Sequence, residues 1–274
     1  MRLLRAAALL LALATPAVTA WADDAIPLAG ALSQGGFARG EVPPRTRLAL
    51  DGNPVRVAPD GKFILGFGRD APATMSLVAI FPDGRSTTQE IKLEPRDYDV
   101  QRINGLPPLM VTPDSTLMTR IKAELAKIRG ARATDSDELA FETPLEWPVT
   151  GPISGVYGSQ RILNGEPRAP HLGVDIAAAA GTPIKAAAGG TVTLAEPDLY
   201  FTGGTVIIDH GYGLSSIYQH MSRLDVTVGD AVQQDDVIGT IGATGRVTGA
   251  HLHWGVNWYQ TAIDPQLVAG PMPK

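Results

Sequence analysis

The stretch Gly249-Ala-His-Leu-His-Trp-Gly-Val-Asn-Trp258 decides how the C-terminal half of this chain reads. Histidines at 251 and 253 alternate with Leu252, Trp254, Val256 and Trp258. In a β-strand successive side chains point to opposite faces. One face of this strand therefore presents two imidazoles, and the other enters an apolar core. The chain has 274 residues but only five histidines, at 171, 210, 220, 251 and 253. None precedes His171, so any histidine-built site belongs to the C-terminal part.

A second local signature lies upstream, at His171-Leu-Gly-Val-Asp175. In extended structure a separation of four puts both side chains on one face. A helix would do the same, but Pro170 and Gly173 argue against one here. The chain has no cysteine. That excludes disulfides and thiolate metal sites, so a metal must rest on His, Asp or Glu. An imidazole and a carboxylate on one face supply two zinc ligands. One further histidine completes the three-ligand, open set of catalytic zinc. Either pair alone arises by chance. Two such signatures in one half, with the other two histidines between them, read as one site.

The residues around these signatures predict strands and tight turns. Examples are Gly190–Ala195, Gly204–His210, Leu214–His220 and Val237–Ile241, broken by Gly229-Asp230 and by Gly242 to Gly245. Antiparallel sheets with little helix are expected from Trp147 onward. Several short motifs recur in order: Pro170-His-Leu-Gly-Val-Asp-Ile176, Gly181-Thr-Pro-Ile184, Gly190-Thr-Val192, Asp209-His-Gly211, Tyr218-Gln-His220, Val228-Gly-Asp230, Gly242-Ala-Thr-Gly245 and His251-Leu-His253. Over Trp147 to Pro265 this order resembles the lysostaphin/LytM-type zinc metallopeptidases. The resemblance implies an antiparallel β peptidase domain with a groove. It implies Zn2+ held by His171, Asp175 and His253. His220 and His251 would then act on the attacking water or on the oxyanion, with the general-base role unassigned between them. The substrate class implied is bacterial peptidoglycan, cut at amide bonds in its peptide stems or cross-links. Presumed compartment adds a D-Ala–diaminopimelate cross-link as the expected bond.

Other polar residues read less specifically. His210 ends an apolar strand and reads as a histidine bonded to a turn, with Asp209 and Tyr218 as candidate supporting groups. Arg161, Asn164 and Arg168 lie in the loop before His171. That loop reads either as a groove rim contacting an acidic stem or as an ordinary solvated connection.

Residues 23–111 contain no histidine and read as a small β-sandwich-like domain, similar but far more loosely to β-rich domains upstream of this peptidase in Gram-negative relatives. Short runs such as Arg47–Leu50, Val55–Val57, Lys62–Leu65 and Ser76–Phe81 are separated by Asp51-Gly52, Asp60-Gly61 and Asp83-Gly84 turns. Residues 112–146 read as a connector. Thr112-Pro-Asp114 starts a helix, Leu117, Ile121, Leu125 and Ile128 recur at helical spacing, and Gly130 is the expected stop. The polar stretch 131–143 reads as a protease-sensitive linker. Residues 147–274 form the peptidase domain, so the fold class is mainly β with one connecting helix.

Residues 1–22 read as a secretory signal peptide. Arg2 and Arg5 precede a short apolar run, Ala6 to Ala14, and Ala20-Trp-Ala22 offers a cleavage site. An exported chain in the periplasm or cell envelope is expected, with no stable membrane span after cleavage. Losing Arg2 and Arg5 takes the formal charge from −5 to −7, which is no footprint for nucleic acid. Two other functions compete. One is a non-catalytic module that regulates other wall hydrolases, which an intact ligand set disfavours. The other is a biotinyl- or lipoyl-type carrier, suggested by Val228-Gly-Asp-Ala-Val232. That reading fails because neither Lys185 nor Lys274 sits in a hairpin turn. An N-terminal module ahead of a wall hydrolase also raises intramolecular inhibition of the groove.

Overall fold

The computed structural model describes residues 25–273; the signal-peptide reading of 1–22 lies outside them. Two β units are joined by one long helix, and the fold is mainly β with antiparallel sheets, as the turn pattern implies. In the N-terminal unit a three-stranded sheet (Leu28–Gly30, Phe37–Glu41, Lys62–Gly66) faces a four-stranded one (Asn53–Val55, Arg47–Leu50, Thr74–Ile80, Ser86–Lys92). The two-residue turn Asp51-Gly52 has φ of 47° and 79°, the left-handed pair that a right-twisted hairpin requires. The expected strand Val55–Val57 instead runs Asn53–Val55, because the hairpin register starts right after Gly52. Ala38, Phe63 and Leu65 fill the sandwich core with Leu48, Leu50 and Leu77. The alternate residues Phe37 and Ile64 join the core of the C-terminal unit. That sheet is thus buried on both sides, which welds the two units together. Arg96 bridges to the buried Asp264 at 2.9 Å and reinforces the seam.

The C-terminal unit is a ten-stranded sheet. Its central strands are Gly190–Leu199, Gly203–Gly211, Leu214–Leu224, His251–Trp258 and Val174–Ala177. Register assigns their faces. Tyr218 pairs with Trp254 and Val174 with Trp254; with Leu252 and Val256 these residues are fully buried in one core. On the opposite face Asp175 and Gln219 both pair with His253. Farther along that second face, Leu194 pairs with Ile207, Ile207 with Ile217, and Ile217 with Gly255.

Two helices follow the N-terminal unit, α1 (Pro108–Val111) and α2 (Ser115–Arg132). Asp114 caps α2 by accepting from the Leu117 amide at 2.9 Å, so the helix starts where an N-cap acid directs. It runs past Gly130, because Ala131 packs with Ile128 on Leu194, Leu199, Ile207 and Ile217. Leu125 departs from the expected stripe and is 43% exposed. Residues 131–143 are not a loose linker. Asp135 and Asp137 bind Arg56, Ser136 bonds Asp209, and Phe141 is buried against Tyr212. Side chains committed in this way differ from the open connector that the polar composition implies. Among the described residues no helix is long and apolar enough to cross a membrane.

Candidate metal centre and catalytic groove

The site lies on the second face of the large sheet, and local sequence explains each side chain's position. His253 and Asp175 are direct cross-strand partners, so their side chains share a face and meet at 2.8 Å, His253 Nδ1 to Asp175 Oδ1. His171 sits just before the strand Val174–Ala177 rather than within it. Its Nε2 reaches His253 Nδ1 at 2.8 Å and Asp175 Oδ1 at 2.9 Å. Gly173 permits this approach. A Cβ there would fall 2.7 Å from the His253 ring and 2.6 Å from the Trp254 carbonyl. Gly155 does the same for the carboxylate, since a Cβ would lie 2.4 Å from Asp175 Oδ2.

His220 reaches the face by a different device. By strict alternation it would follow Tyr218 into the core. Between Tyr218 and Met221 the strand carries one residue more than its neighbour, where Val206 pairs with Tyr218 and Gly204 with Met221. This is a β-bulge, and His220 sits in it with φ of 65°. The bulge re-aims the imidazole, whose ring centroid lies 4.8 Å from that of His251 and 6.2 Å from that of His253. No spacing in the sequence announces it.

The backbone sorts the ring nitrogens. His171, His220 and His251 donate from Nδ1 to the carbonyls of Val156, Thr244 and Gly249 at 3.0, 2.9 and 2.9 Å. Their Nε2 atoms are turned to the site. His253 alone offers Nδ1 to the cluster. His171, Asp175 and His253 each contribute one atom to a group within 4.8 Å, the nitrogen, oxygen and nitrogen set that suits a divalent metal such as zinc. Burial alone would raise the Asp175 pKa, but the bonds from His171 and His253 hold it well below the carboxylate range. Burial lowers His253 to about 4. It also lowers His220 to about 3, helped by the positive charge that His253 and His251 would carry. At neutral pH both rings are uncharged, as ligands or proton acceptors must be.

Arg161 is more than a rim residue: Nη2 binds Asp175 Oδ2 at 2.9 Å, taking the carboxylate oxygen that the histidines leave. Asn164 and Arg168 turn away from the histidines and bind Leu106 and Val111. His210 is fully buried, between the Gly189 carbonyl at 2.6 Å and Ser216 Oγ at 2.8 Å, so it belongs to the core and not to the site. Tyr218 shares this network through Ser216. Residues 100–106 carry no local sequence signature of a place at the site. Val100–Ile103 pairs in parallel with Gln160–Leu163. Gln101, Ile103 and Leu106 then roof a cavity of about 140 Å³ whose other wall holds Asp175, His220, His251, Arg161 and Arg246. A larger cavity of about 480 Å³ lies between the two units, beside Trp258 and Arg69, but it contains no cluster of metal-ligating or proton-transferring groups.

The geometry agrees with comparison to known proteins. Residues 169–265 match the model of peptidase family M23. A peptidase M23 of known crystal structure from Pseudomonas aeruginosa is 31% identical, with a TM-score of 0.67 over 88% of this chain and 96% of that one. The chain belongs to peptidase family M23. Two curated relatives match this half. The DD-carboxypeptidase/endopeptidase Mpg of Neisseria meningitidis is 38% identical over 104 residues, 38% of this chain and 24% of that protein. The peptidoglycan DD-endopeptidase ShyA of Vibrio cholerae is 41% identical over 123 residues, 44% of this chain and 28% of that protein. The matched segment thus spans about a quarter of the length of these curated relatives. Within the M23 match fall all five histidines and Asp175.

Proposed function

We propose that this M23 peptidase is an exported, zinc-dependent endopeptidase that hydrolyses amide bonds in the peptide stems or cross-links of peptidoglycan in the periplasm or cell envelope. The observation that carries it is the convergence of His171 Nε2, Asp175 Oδ1 and His253 Nδ1 beside two further histidines. The donor set fits zinc: two imidazoles and a carboxylate, with the His171 ring fixed by the Val156 carbonyl and the His253 ring by Asp175. When bound, zinc supplies Lewis-acid activation of water and of the scissile carbonyl. His171, Asp175 and His253 hold it. His220, neutral and with Nδ1–H tied to Thr244, presents a free Nε2 lone pair to the cavity. His251 is held the same way by Gly249. Between them these rings accept the proton of the attacking water and stabilise the oxyanion of the tetrahedral adduct. Arg161 keeps Asp175 oriented and charged. The DD-endopeptidase names of the relatives support a D-Ala–diaminopimelate cross-link as the bond cut. A complete donor set speaks against a regulatory module that has lost catalysis.

The roof over the site supports intramolecular inhibition. A cavity of about 140 Å³ is smaller than the pockets that take drug-sized ligands, and a peptide stem is at least that large. Residues 100–111 therefore have to move before a peptide stem can enter.

The test is mass spectrometry of muropeptides released from purified sacculi, with metal content measured in parallel. Zinc-loaded wild type is expected to release cleaved cross-links. His253→Ala should lose both zinc and activity. His251→Ala should keep stoichiometric zinc while losing about 10²-fold or more in rate. Wild type without bound zinc, or His251→Ala with full activity, would overturn the assignment.

A further inference from the structure

Three donor side chains, from three separate segments of the peptidase half, converge on the last turn of α1. The Tyr200 hydroxyl donates to the Leu109 carbonyl at 2.8 Å. Arg246 Nη1 donates to the Met110 carbonyl at 3.2 Å. Arg168 donates to the Val111 carbonyl through Nε at 3.2 Å and Nη2 at 3.0 Å. Arg168 also meets Thr112 Oγ1 at 3.2 Å, the Pro167 carbonyl at 2.8 Å and, more distantly, Glu166 at 3.7 Å. Arg246 has no carboxylate in ion-pair range among the described residues. Its guanidinium lies 4.3 Å over the Phe201 ring, and burial, with Arg161 and Arg168 close by, pushes its pKa down to about 10.

A half-buried guanidinium whose partners are a neutral carbonyl and an aromatic ring, with no carboxylate, is incompletely compensated. Helix-terminal carbonyls carry partial negative charge, which makes them weak stand-ins for an anion. Planar guanidinium donors with a hydroxyl beside them match a carboxylate far better. Arg246 also lines the same cavity as Asp175, His220 and His251, so whatever it binds lies within reach of the chemistry.

We propose that Tyr200, Arg246 and Arg168 form a carboxylate-binding subsite of the groove, and that the last carbonyls of α1 occupy the place of a free carboxylate on the substrate's peptide stem. This rests on the reading of the chain as a peptidoglycan peptidase. Two carboxylates have the right chemistry: the C-terminus of a stem and the side-chain carboxylate of its diamino acid.

The test uses three synthetic cross-linked stem peptides: the free acid, the C-terminal amide and the side-chain amide. Each is given to the full chain and to a full chain whose roof is loosened by Leu106→Asp and Val111→Asp. One amidation is expected to lower kcat/KM at least tenfold, mainly through KM, as lost uniform binding does. The sensitive position identifies which carboxylate is held. Arg246→Gln and Arg168→Gln should shrink the difference toward unity. Equal cleavage of all three peptides by wild type, or a preference that survives Arg246→Gln, overturns the subsite. Calorimetric binding of the same peptides to the loosened chain is measured alongside. If no peptide is cut, the peptidase reading fails, and the subsite is still decided. It stands if the free acid binds tighter and Arg246→Gln removes the preference, and it falls if the three peptides bind alike.

Discussion

Four imidazoles meet at one site, and what separates them is which ring nitrogen the backbone takes. Three give Nδ1–H to carbonyls and point Nε2 inward, whereas His253 turns Nδ1 toward Asp175. Alternation along 251–258 places His251 and His253 on one face, and the strand shows that face. Nothing in the alternation tells their nitrogens apart, because that depends on carbonyls at Val156, Thr244 and Gly249. His210 shows the same dependence in reverse. Its place at a strand end is visible in sequence, but its complete burial is set by the core around Tyr218. Burial lowers its pKa to about 4, against about 6.5 unfolded. As pH falls from 6.5 to about 4, the unfolded chain takes a proton that the folded chain refuses, so stability falls. Below about 4 both states are protonated and the loss is complete. The contribution reaches at most about 3 kcal/mol. Because His220 and His253 titrate in the same direction, the measurement is a comparison. Urea unfolding of wild type and His210→Gln between pH 7 and 4 should show the wild-type advantage shrinking by up to that amount as pH falls. A pH-independent gap would show that His210 titrates alike in the folded and unfolded chains, and that its burial does not shift it.

At the scale of elements, the sequence shows where strands and turns lie and conceals where one strand breaks its own period. The bulge before Met221 moves His220 from the core face to the site face. An extra residue opposite a partner is a property of pairing, so it cannot be read from one strand alone. Helix α2 carries a similar lesson. Its apolar spacing runs through Leu117, Ile121, Leu125 and Ile128, but the sheet row of Leu194, Ile207 and Ile217 takes Ile128 together with Ala131. Ile121 and Ile128 are buried, and Leu125 faces solvent. Ile128→Asp should therefore destabilise the chain by about 3 kcal/mol, through lost burial and a desolvated charge. Leu125→Asp should stay within about 0.5 kcal/mol. Denaturant midpoints of the two variants measure the contrast. Similar losses in both would mean that α2 docks through a different stripe.

At the scale of the whole molecule, one face of the peptidase sheet carries two loads. The histidines stand at one end, α2 covers the apolar row farther along, and the segment Val100 to Leu106, paired to the strand Gln160–Leu163, closes over the site. The three-stranded sheet of the sandwich shares a core with the peptidase half, and Arg96, just ahead of this segment, is tied to Asp264. The roof itself is secured by a small cluster, Leu106, Val111 and Leu163 with Ile103, plus donors that end on backbone carbonyls. Such a cluster is small beside the cores on either side, so on the proposed reading the roof opens while both units stay folded. Burial of two aliphatic side chains of this kind contributes about 3 kcal/mol, which corresponds to about a hundredfold in a closed-to-open ratio. Leu106→Asp combined with Val111→Asp, in the zinc-loaded full chain, is therefore expected to raise the rate of sacculus hydrolysis at least tenfold. New protease cuts should appear between residues 98 and 112 while the midpoint of global unfolding changes little. If those cuts appear and the rate does not rise, the roof is no barrier to substrate, and the segment serves only to tie the two units together.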